Sequence, residues 1–169
     1  MGDVPGLVAL RAALDLLDGV ELESLSDGEL HAVVVATEKL RSRLGVVAGR
    51  FLQRWDVRHV WATDGSRSAS ARLARDTNSA PASAAVTLRR ARRQPQLPAT
   101  VAAITRGDLS LDHLDLLGRA NQDQRIGLFA RDESMLVATC ARPGRDGDPI
   151  SLQPSERPST PAPVHRARR

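Results

Sequence analysis

"SDGELHAVVVATEKLRSRLGVVAGRFLQRWDVR" (residues 26–58) carries the longest helical pattern in the chain and decides the fold. Ser26 and Glu29 have the spacing of a capping box, in which a hydroxyl and a carboxylate satisfy backbone amides at the start of a helix. Large apolar residues then recur every three or four positions, at Leu30, Val33, Leu40, Leu44, Val47, Phe51 and Trp55. This spacing predicts an amphipathic helix of about 28 residues, roughly 40 Å long. The apolar stripe would serve either as the spine of a bundle or, in part, as a surface that pairs with a second copy.

Shorter helices are predicted on both sides of this stretch. Pro5 and Gly19 bracket a leucine-rich segment, and residues 63–66 indicate a turn because Asp and Gly favour sharp bends. Further helices are predicted near residues 68–75, from Pro81 to about residue 93, from Pro98 to Gly107, from Ser110 onward, and in two segments after residue 123. No stretch alternates apolar and polar residues for long enough to predict a strand. Residues 1–141 are therefore predicted to form an all-α domain, an irregular bundle of about seven helices around one long N-terminal helix.

Residues 142–169 differ in composition from the rest of the chain. They contain six of the ten prolines, and six arginines against three acidic residues. Such a segment is typical of disorder, since it has too few apolar groups to build a core. It also holds +3 of the net charge of +4, whereas residues 1–141 carry eighteen basic and seventeen acidic groups. The high isoelectric point therefore does not mark the helical part as a nucleic-acid-binding domain.

The composition limits the chemistry that is available. A single cysteine, Cys140, excludes an internal disulfide and a metal site built from several thiolates. Charged residues interrupt the N-terminal leucines, so that segment does not resemble a signal peptide, and no run approaches the ~20 apolar residues of a membrane span. We expect a cytoplasmic protein with no cofactor, no membrane partner and no small-molecule substrate. Three of the four aromatic residues lie between positions 51 and 61, which suggests one local anchoring cluster.

Three blocks of sequence follow one another in an order typical of a known family. They are "WATDGSRSASARLA" (residues 61–74), "ARRQPQLPATVAAITRGDLSLDHLDLL" (residues 91–117) and "DESML" (residues 132–136). Over roughly residues 25–141 the chain resembles the helical domain of unknown function 222, found in the 13E12 repeat family of GC-rich bacteria. The residues that match are Trp61, Asp64, Gly65, Ser68, Ala69, Leu73 and Ala74 in the first block, and Ala91, Arg92, Leu97, Pro98, Gly107, Leu109, Ser110 and His113 in the second.

The resemblance implies a nuclease context but no nuclease activity in this chain. Members of that family typically continue through more helix to an HNH module, whose histidines and asparagine hold a metal that activates water. Here His165 is the only histidine after residue 141, so we predict no catalytic residue, no metal ligand and no enzyme activity. We expect a non-catalytic accessory domain that binds DNA or protein. The alternatives are a fragment that needs a separately encoded HNH module, and the product of a decayed gene whose tail is read out of frame.

Four arginines on one predicted helix form the densest positive cluster of residues 1–141. Arg89, Arg90, Arg92 and Arg93 would suit phosphate contacts along a DNA duplex. The alternative is an ordinary solvated face, since this chain uses twenty-three arginines and one lysine throughout. The sequence leaves both interpretations open.

Two other groups of residues invite a chemical interpretation. Ser110, His113 and Asp115 cannot form a catalytic triad on one helix, because Asp115 points away from the side of His113. Ser110 is instead predicted to cap a helix. Residues 64–68 either cradle a phosphate at a helix start or form a turn followed by a cap.

Two positions depart from the pattern of the family that the chain resembles. Arg72 stands where a tryptophan is usual, and Gln94 stands where a leucine would supply an apolar contact. Losing one buried aromatic residue typically costs about 3–5 kcal/mol, so these departures are expected to lower stability.

Overall fold

The computed structural model describes residues 4–121 and 126–141, with the backbone alone described for residues 126–130. The described part is all-α, with no strand, which confirms the predicted fold class. The seven helices are α1 (Pro5–Asp18), α2 (Asp27–Val57), α3 (Ala69–Asp76), α4 (Pro81–Arg93), α5 (Pro98–Arg106), α6 (Leu111–Ala120) and α7 (Ile126–Cys140). Short 3₁₀ helices occur at Leu22–Ser24, Val60–Asp64 and Gln94–Gln96. The tail predicted to be disordered, residues 142–169, lies outside the described residues.

Local sequence signals set the helix ends. The capping box at the start of α2 is present, with the Ser26 amide donating to Glu29 Oε2 at 2.9 Å and the Glu29 amide donating to Ser26 Oγ at 3.3 Å. Proline opens α1, α4 and α5, where its missing N–H removes no helical hydrogen bond. Gly107 ends α5 in the left-handed region, with φ of 84°.

The hydrophobic core lies among α5, α6 and α7. Four of its side chains are almost fully buried, namely Leu97, Ile104, Leu114 and Leu117, and Ala103, Leu109 and Val137 complete it with Val46 from α2. A second layer packs α4 against α2 and α3 through Ala84, Leu88 and Ala91. The long helix thus contributes one large side chain to the core and borders it without running through its centre.

The buried face of α2 is not the one that the apolar stripe predicts. Its buried residues are Ser42, Val46 and Gly49, all of them in the second half of the helix. Small residues allow the rest of the bundle, helices α3–α7, which we call the body, to approach α2 closely. A Cβ at Gly49 would lie 2.1 Å from Gln94 Nε2, and one at Gly45 would lie 2.6 Å from Leu111 Cδ1. The interpretation of the stripe as the spine of the bundle is therefore wrong, because the bundle packs on the side of α2 where small residues leave room for its neighbours.

The predicted aromatic cluster is also absent from the described residues. Phe51 is 71% exposed, and the ring contact recorded nearby joins His59 to Trp61, with centroids 5.8 Å apart. Trp55 and Trp61 are half-buried, and Phe51 and Trp55 line the same groove without a ring contact. Sequence proximity did not bring these rings together, since residues 51 and 55 lie on a helix whose packed face is elsewhere.

Candidate functional site

Part of the arginine cluster of α4 faces the rest of the protein: Arg90 and Arg93 are half-buried, whereas Arg89 and Arg92 are exposed. Arg90 donates to Asp115 on α6 from Nε at 3.0 Å and from Nη2 at 2.7 Å, and its Nη2 lies 3.5 Å from Asp112 Oδ1. The side chains of Arg90 and Asp115 are only 25% and 18% exposed. This ion pair therefore joins α4 to α6, and its positive charge is matched inside the fold.

Arg92 makes a similar connection to α2. Its Nε donates to Asp56 Oδ2 at 2.7 Å and its Nη2 donates to Asp56 Oδ1 at 3.1 Å, the two-pronged arrangement that suits guanidinium and carboxylate. The hydrogen bond to Asp56 raises the pKa of Arg92 above its ordinary value. Two of the four arginines thus act as ties between helices.

The remaining two arginines differ from each other. Arg93 is half-buried and lies across Gly118 of α6, where an added Cβ would come within 2.8 Å of Arg93 Cδ. Arg89 is exposed, and no ion pair involves it in the part of the chain that the structure describes. The four residues do not form one solvent-facing positive surface, although a DNA contact by Arg89 stays a prediction.

The loop at residues 64–68 is organised around an internal anion. The Asp64 carboxylate accepts from the Ser66 amide at 3.1 Å and from Ser66 Oγ at 2.7 Å, and it pairs with Arg72 and Arg75 of α3. These hydrogen bonds, first from Ser66 and then from Arg75, lower the pKa of Asp64 well below its ordinary value. Groups that could cradle a phosphate here are directed at Asp64 instead. Gly65 adopts φ of 79°, which completes the turn.

Arg72, where the resemblance would place a tryptophan, belongs to the same network. It pairs with Asp64 and with Asp76 on its own helix, and its side chain is 23% exposed. Ser68 caps this helix, with the Ala71 amide donating to Ser68 Oγ at 3.2 Å. The first sequence block therefore forms a turn, a cap and a charged network that hold α3 in place.

The second block supplies packing and helix ends. Leu97 is fully buried, Pro98 opens α5 and Gly107 closes it. Ser110 caps α6, with its Oγ 3.0 Å from His113 Nδ1 and its amide donating to the same nitrogen at 3.2 Å. Ser110 and His113 therefore pair with each other, whereas Asp115 is bound to Arg90 of α4.

One buried carboxylate was not singled out from the sequence. Glu133 of α7 is 3% exposed, and its Oε1 accepts from the Thr100 amide and from Thr100 Oγ1, both at 2.8 Å. Thr100 lies in the first turn of α5, where amides have no partner within the helix and the helix dipole favours a negative charge. An acid on the same helix face as Leu136 and Val137 was the signal that could have revealed it.

The largest unexplained surface is apolar and lies at the N-terminal end of the chain. Among the side chains that the structure describes, nineteen large hydrophobic residues are exposed, and eighteen of them lie between Val4 and Val60. α1 buries no residue, and residues 26–41 are exposed without exception. Six of the seven residues of the predicted stripe are exposed, and the seventh, Trp55, is half-buried. We call the six exposed residues the α2 stripe: Leu30, Val33, Leu40, Leu44, Val47 and Phe51. Because single-domain proteins rarely expose contiguous apolar patches of this kind, the α2 stripe is the candidate functional surface.

Among residues 4–121 and 126–141, no group of three His, Cys, Asp or Glu side chains is placed to hold a metal ion. Within that same part of the chain, no helix combines the length and apolar character needed to cross a bilayer.

Comparison with known proteins identifies the family. The family described as "Domain of unknown function (DUF222)" matches residues 31–140, from the first turns of α2 to the end of α7. No curated protein and no solved structure matches the chain. Since the match covers more than half of the 169 residues and includes every element of the helical core, the chain belongs to the DUF222 family.

Proposed function

We propose that this protein is a non-catalytic helical accessory domain that works by binding another polypeptide along the α2 stripe. The observation that carries the proposal is the division of α2 into two faces. One face packs on the body through Ser42, Val46 and Gly49, and the opposite face presents large apolar side chains to solvent.

The exposure of this stripe has an energetic consequence. Leu40 is 55% exposed and Phe51 is 71% exposed, and burying such a side chain contributes about 1.5–3 kcal/mol when exposure is complete. Residues 26–41 bury no side chain against the rest of the bundle, and isolated helices shorter than about 12–15 residues are only marginally stable in water. A binding partner would therefore both cover the stripe and stabilise the helix that carries it.

The resemblance to 13E12 repeat proteins gives this proposal a context. In that context the domain accompanies an HNH endonuclease module, and a nuclease module encoded separately is one partner that the α2 stripe would hold. Purified protein with Mg²⁺, Mn²⁺ or Zn²⁺ is expected not to cleave plasmid DNA. Metal-dependent nicking by the chain alone would contradict the proposal. The cytoplasmic location stays a prediction.

Site-specific photo-crosslinking in the expressing cell tests the binding surface. A benzoylphenylalanine at Leu44, in the middle of the stripe, is expected to give an adduct of discrete mass. The same group at His31, an exposed position on the other side of α2, is the control. Absence of any adduct at Leu44, or equal adducts at both positions, would contradict a binding role for the stripe.

DNA binding is a second candidate function, favoured by one observation. Arg50, Arg54 and Arg58 follow one another at four-residue spacing and line an open groove between α2 and α5. Electrostatic binding to phosphates would weaken steeply with added salt. We expect a variant with glutamine at these three positions to lose any such binding. A variant neutralised at Arg89, Arg90, Arg92 and Arg93 tests the cluster predicted from the sequence, and unchanged binding there would exclude it.

A further inference from the structure

The residues of the α2 stripe follow a coiled-coil repeat. With Thr37 included, they lie at positions 30, 33, 37, 40, 44, 47 and 51, alternating three- and four-residue steps over three heptads. Such a strict alternation keeps one seam facing a partner helix along its whole length. Thr37 is compatible with a seam, because its hydroxyl already donates to the Val33 carbonyl at 2.8 Å. The buried residues Ser42, Val46 and Gly49 lie on the other side of the helix, so the seam residues are exposed while the body is folded. Two of them, Val47 and Phe51, also line the groove beside Pro98 of α5.

Charge is divided between the two ends of this region. Within α2, residues 27–38 contain three acidic residues and no Lys or Arg, whereas residues 39–57 contain five Lys or Arg residues and one acidic residue. The acidic residue of the second group is Asp56, which Arg92 already binds. An acidic start and a basic end also suit the dipole of a single helix, so the charges alone do not require a partner.

Together, the seam and the charges favour one orientation of one partner. We propose that two copies of this chain pair through their α2 stripes in an antiparallel coiled coil, an inference that rests on the proposed binding role of the stripe. Antiparallel pairing sets the acidic end of each helix against the basic end of the other. Parallel pairing would instead align Glu29 with Glu29 and Arg50 with Arg50, and like charges at a seam are unfavourable.

The antiparallel arrangement also covers the half of the helix that buries no side chain. Residues 26–41 are all exposed, whereas Ser42, Val46 and Gly49 fix the second half of α2 to the body. In an antiparallel pair, each exposed first half lies on the fixed second half of the other copy. One register sets Leu30 against Val47, Val33 against Leu44 and Thr37 against Leu40 of the second copy, with Glu29 flanking Arg50. The contact is the same in both directions, as a two-fold symmetric dimer requires.

Sedimentation of the full chain tests whether pairing occurs. The expected mass is twice the 18.2 kDa of one chain. Leu40→Glu with Leu44→Glu is expected to weaken dimerisation by at least about a hundredfold, since two charges would be buried at the seam. His31→Glu with Ala32→Glu adds the same charge away from the seam and is expected to leave the dimer unchanged. A wild-type chain that stays monomeric, or a dimer insensitive to the Leu40 and Leu44 changes, would overturn the inference.

Charge reversal and crosslinking test the orientation. Glu29→Arg or Arg50→Glu alone is expected to weaken the dimer, and the two changes in one chain are expected to restore it in part, because Glu29→Arg also removes the capping box of α2. With Cys140→Ser in the background, Glu29→Cys mixed with Arg50→Cys is expected to form a covalent dimer, whereas neither variant alone should do so. Efficient disulfide formation by Glu29→Cys alone would show parallel pairing and overturn the proposal. If Leu44 gives a photo-adduct with a different polypeptide while the chain sediments as a monomer, antiparallel pairing fails and the proposed binding function stands.

Discussion

Replacing Gln94 with methionine should stabilise the domain. Gln94 is 7% exposed, and neither its Oε1 nor its Nε2 has a hydrogen-bond partner among the described residues. The amide is pressed against α2, since a Cβ on Gly49 would lie 2.1 Å from Gln94 Nε2. Gln94→Met keeps an unbranched side chain of similar length and removes both unpaired polar atoms.

The size of the effect follows from the cost of unmade hydrogen bonds. Burying an amide without a partner costs about 1–3 kcal/mol in protein mutational data. For a domain of this size each kcal/mol raises Tm by roughly 3–4 °C, so the expected increase is about 3–10 °C. The methionine must occupy the same narrow space beside Gly49, which is why an unbranched replacement is preferred to leucine.

Thermal unfolding followed by circular dichroism, with a urea titration, measures the change. Gln96→Met is the matched control, because Gln96 lies in the same 3₁₀ helix and is exposed. Its Tm should move by less than about 2 °C. A Gln94→Met variant that unfolds at or below the wild-type temperature would refute the reasoning, because it would mean that the amide is hydrogen-bonded, for example by a buried water.

Three further changes test other parts of the fold. Gly107→Ala should destabilise by about 1 kcal/mol because φ is 84°, whereas Gly28→Ala, in open space in the first turn of α2, should be neutral or slightly stabilising in the same urea titration. Glu133→Ala should lower the free energy of unfolding by about 2–4 kcal/mol, because the amide and hydroxyl of Thr100 would be buried without an acceptor. Glu133→Gln should lower it less. Equal urea midpoints for both variants and the wild type would contradict a capping role for Glu133. Asp64→Asn should lower the urea midpoint at pH 7, and the difference from wild type should shrink below about pH 4, because a lowered pKa gives stabilisation above the unfolded pKa that is lost as the carboxylate protonates.

Helix boundaries could be predicted closely because they depend on neighbouring residues. Ser26 with Glu29, Pro81, Pro98 and Gly107 each act within one turn of helix, so the sequence contains the whole cause. The start of α4 at Pro81 and the end of α5 at Arg106 therefore agree with the prediction.

The packed face of α2 could not be predicted in the same way. Apolar periodicity marks a face that would gain from burial, but it does not say what covers that face. The body packs on Val46 and on the small residues Ser42 and Gly49, whose value lies in close approach and not in hydrophobicity. Apolar periodicity gives little weight to small residues such as these. It therefore predicts that the apolar stripe of α2 faces the core, which is the wrong side of the helix.

The acidic partners of the arginine cluster lie far from it in the sequence. Arg90 and Arg92 are matched by Asp115 and Asp56, which lie 25 and 36 positions away. Nothing near Arg90 or Arg92 in the sequence announces these acids. A dense positive run can therefore be partly matched by acids from other helices of a bundle, and only the tertiary structure separates Arg89 from its neighbours.

The bond from Glu133 to Thr100 has a consequence for the order in which the protein can mature on the ribosome. Until the last described helix has been synthesised, α5 has no anion over its first turn and the core has no Val137 above it. The first sixty residues, which carry most of the exposed apolar side chains, are therefore synthesised well before the domain can close. During that interval we expect chaperones to bind the exposed apolar residues. Neighbouring ribosomes on one messenger RNA would also bring two such nascent chains close together.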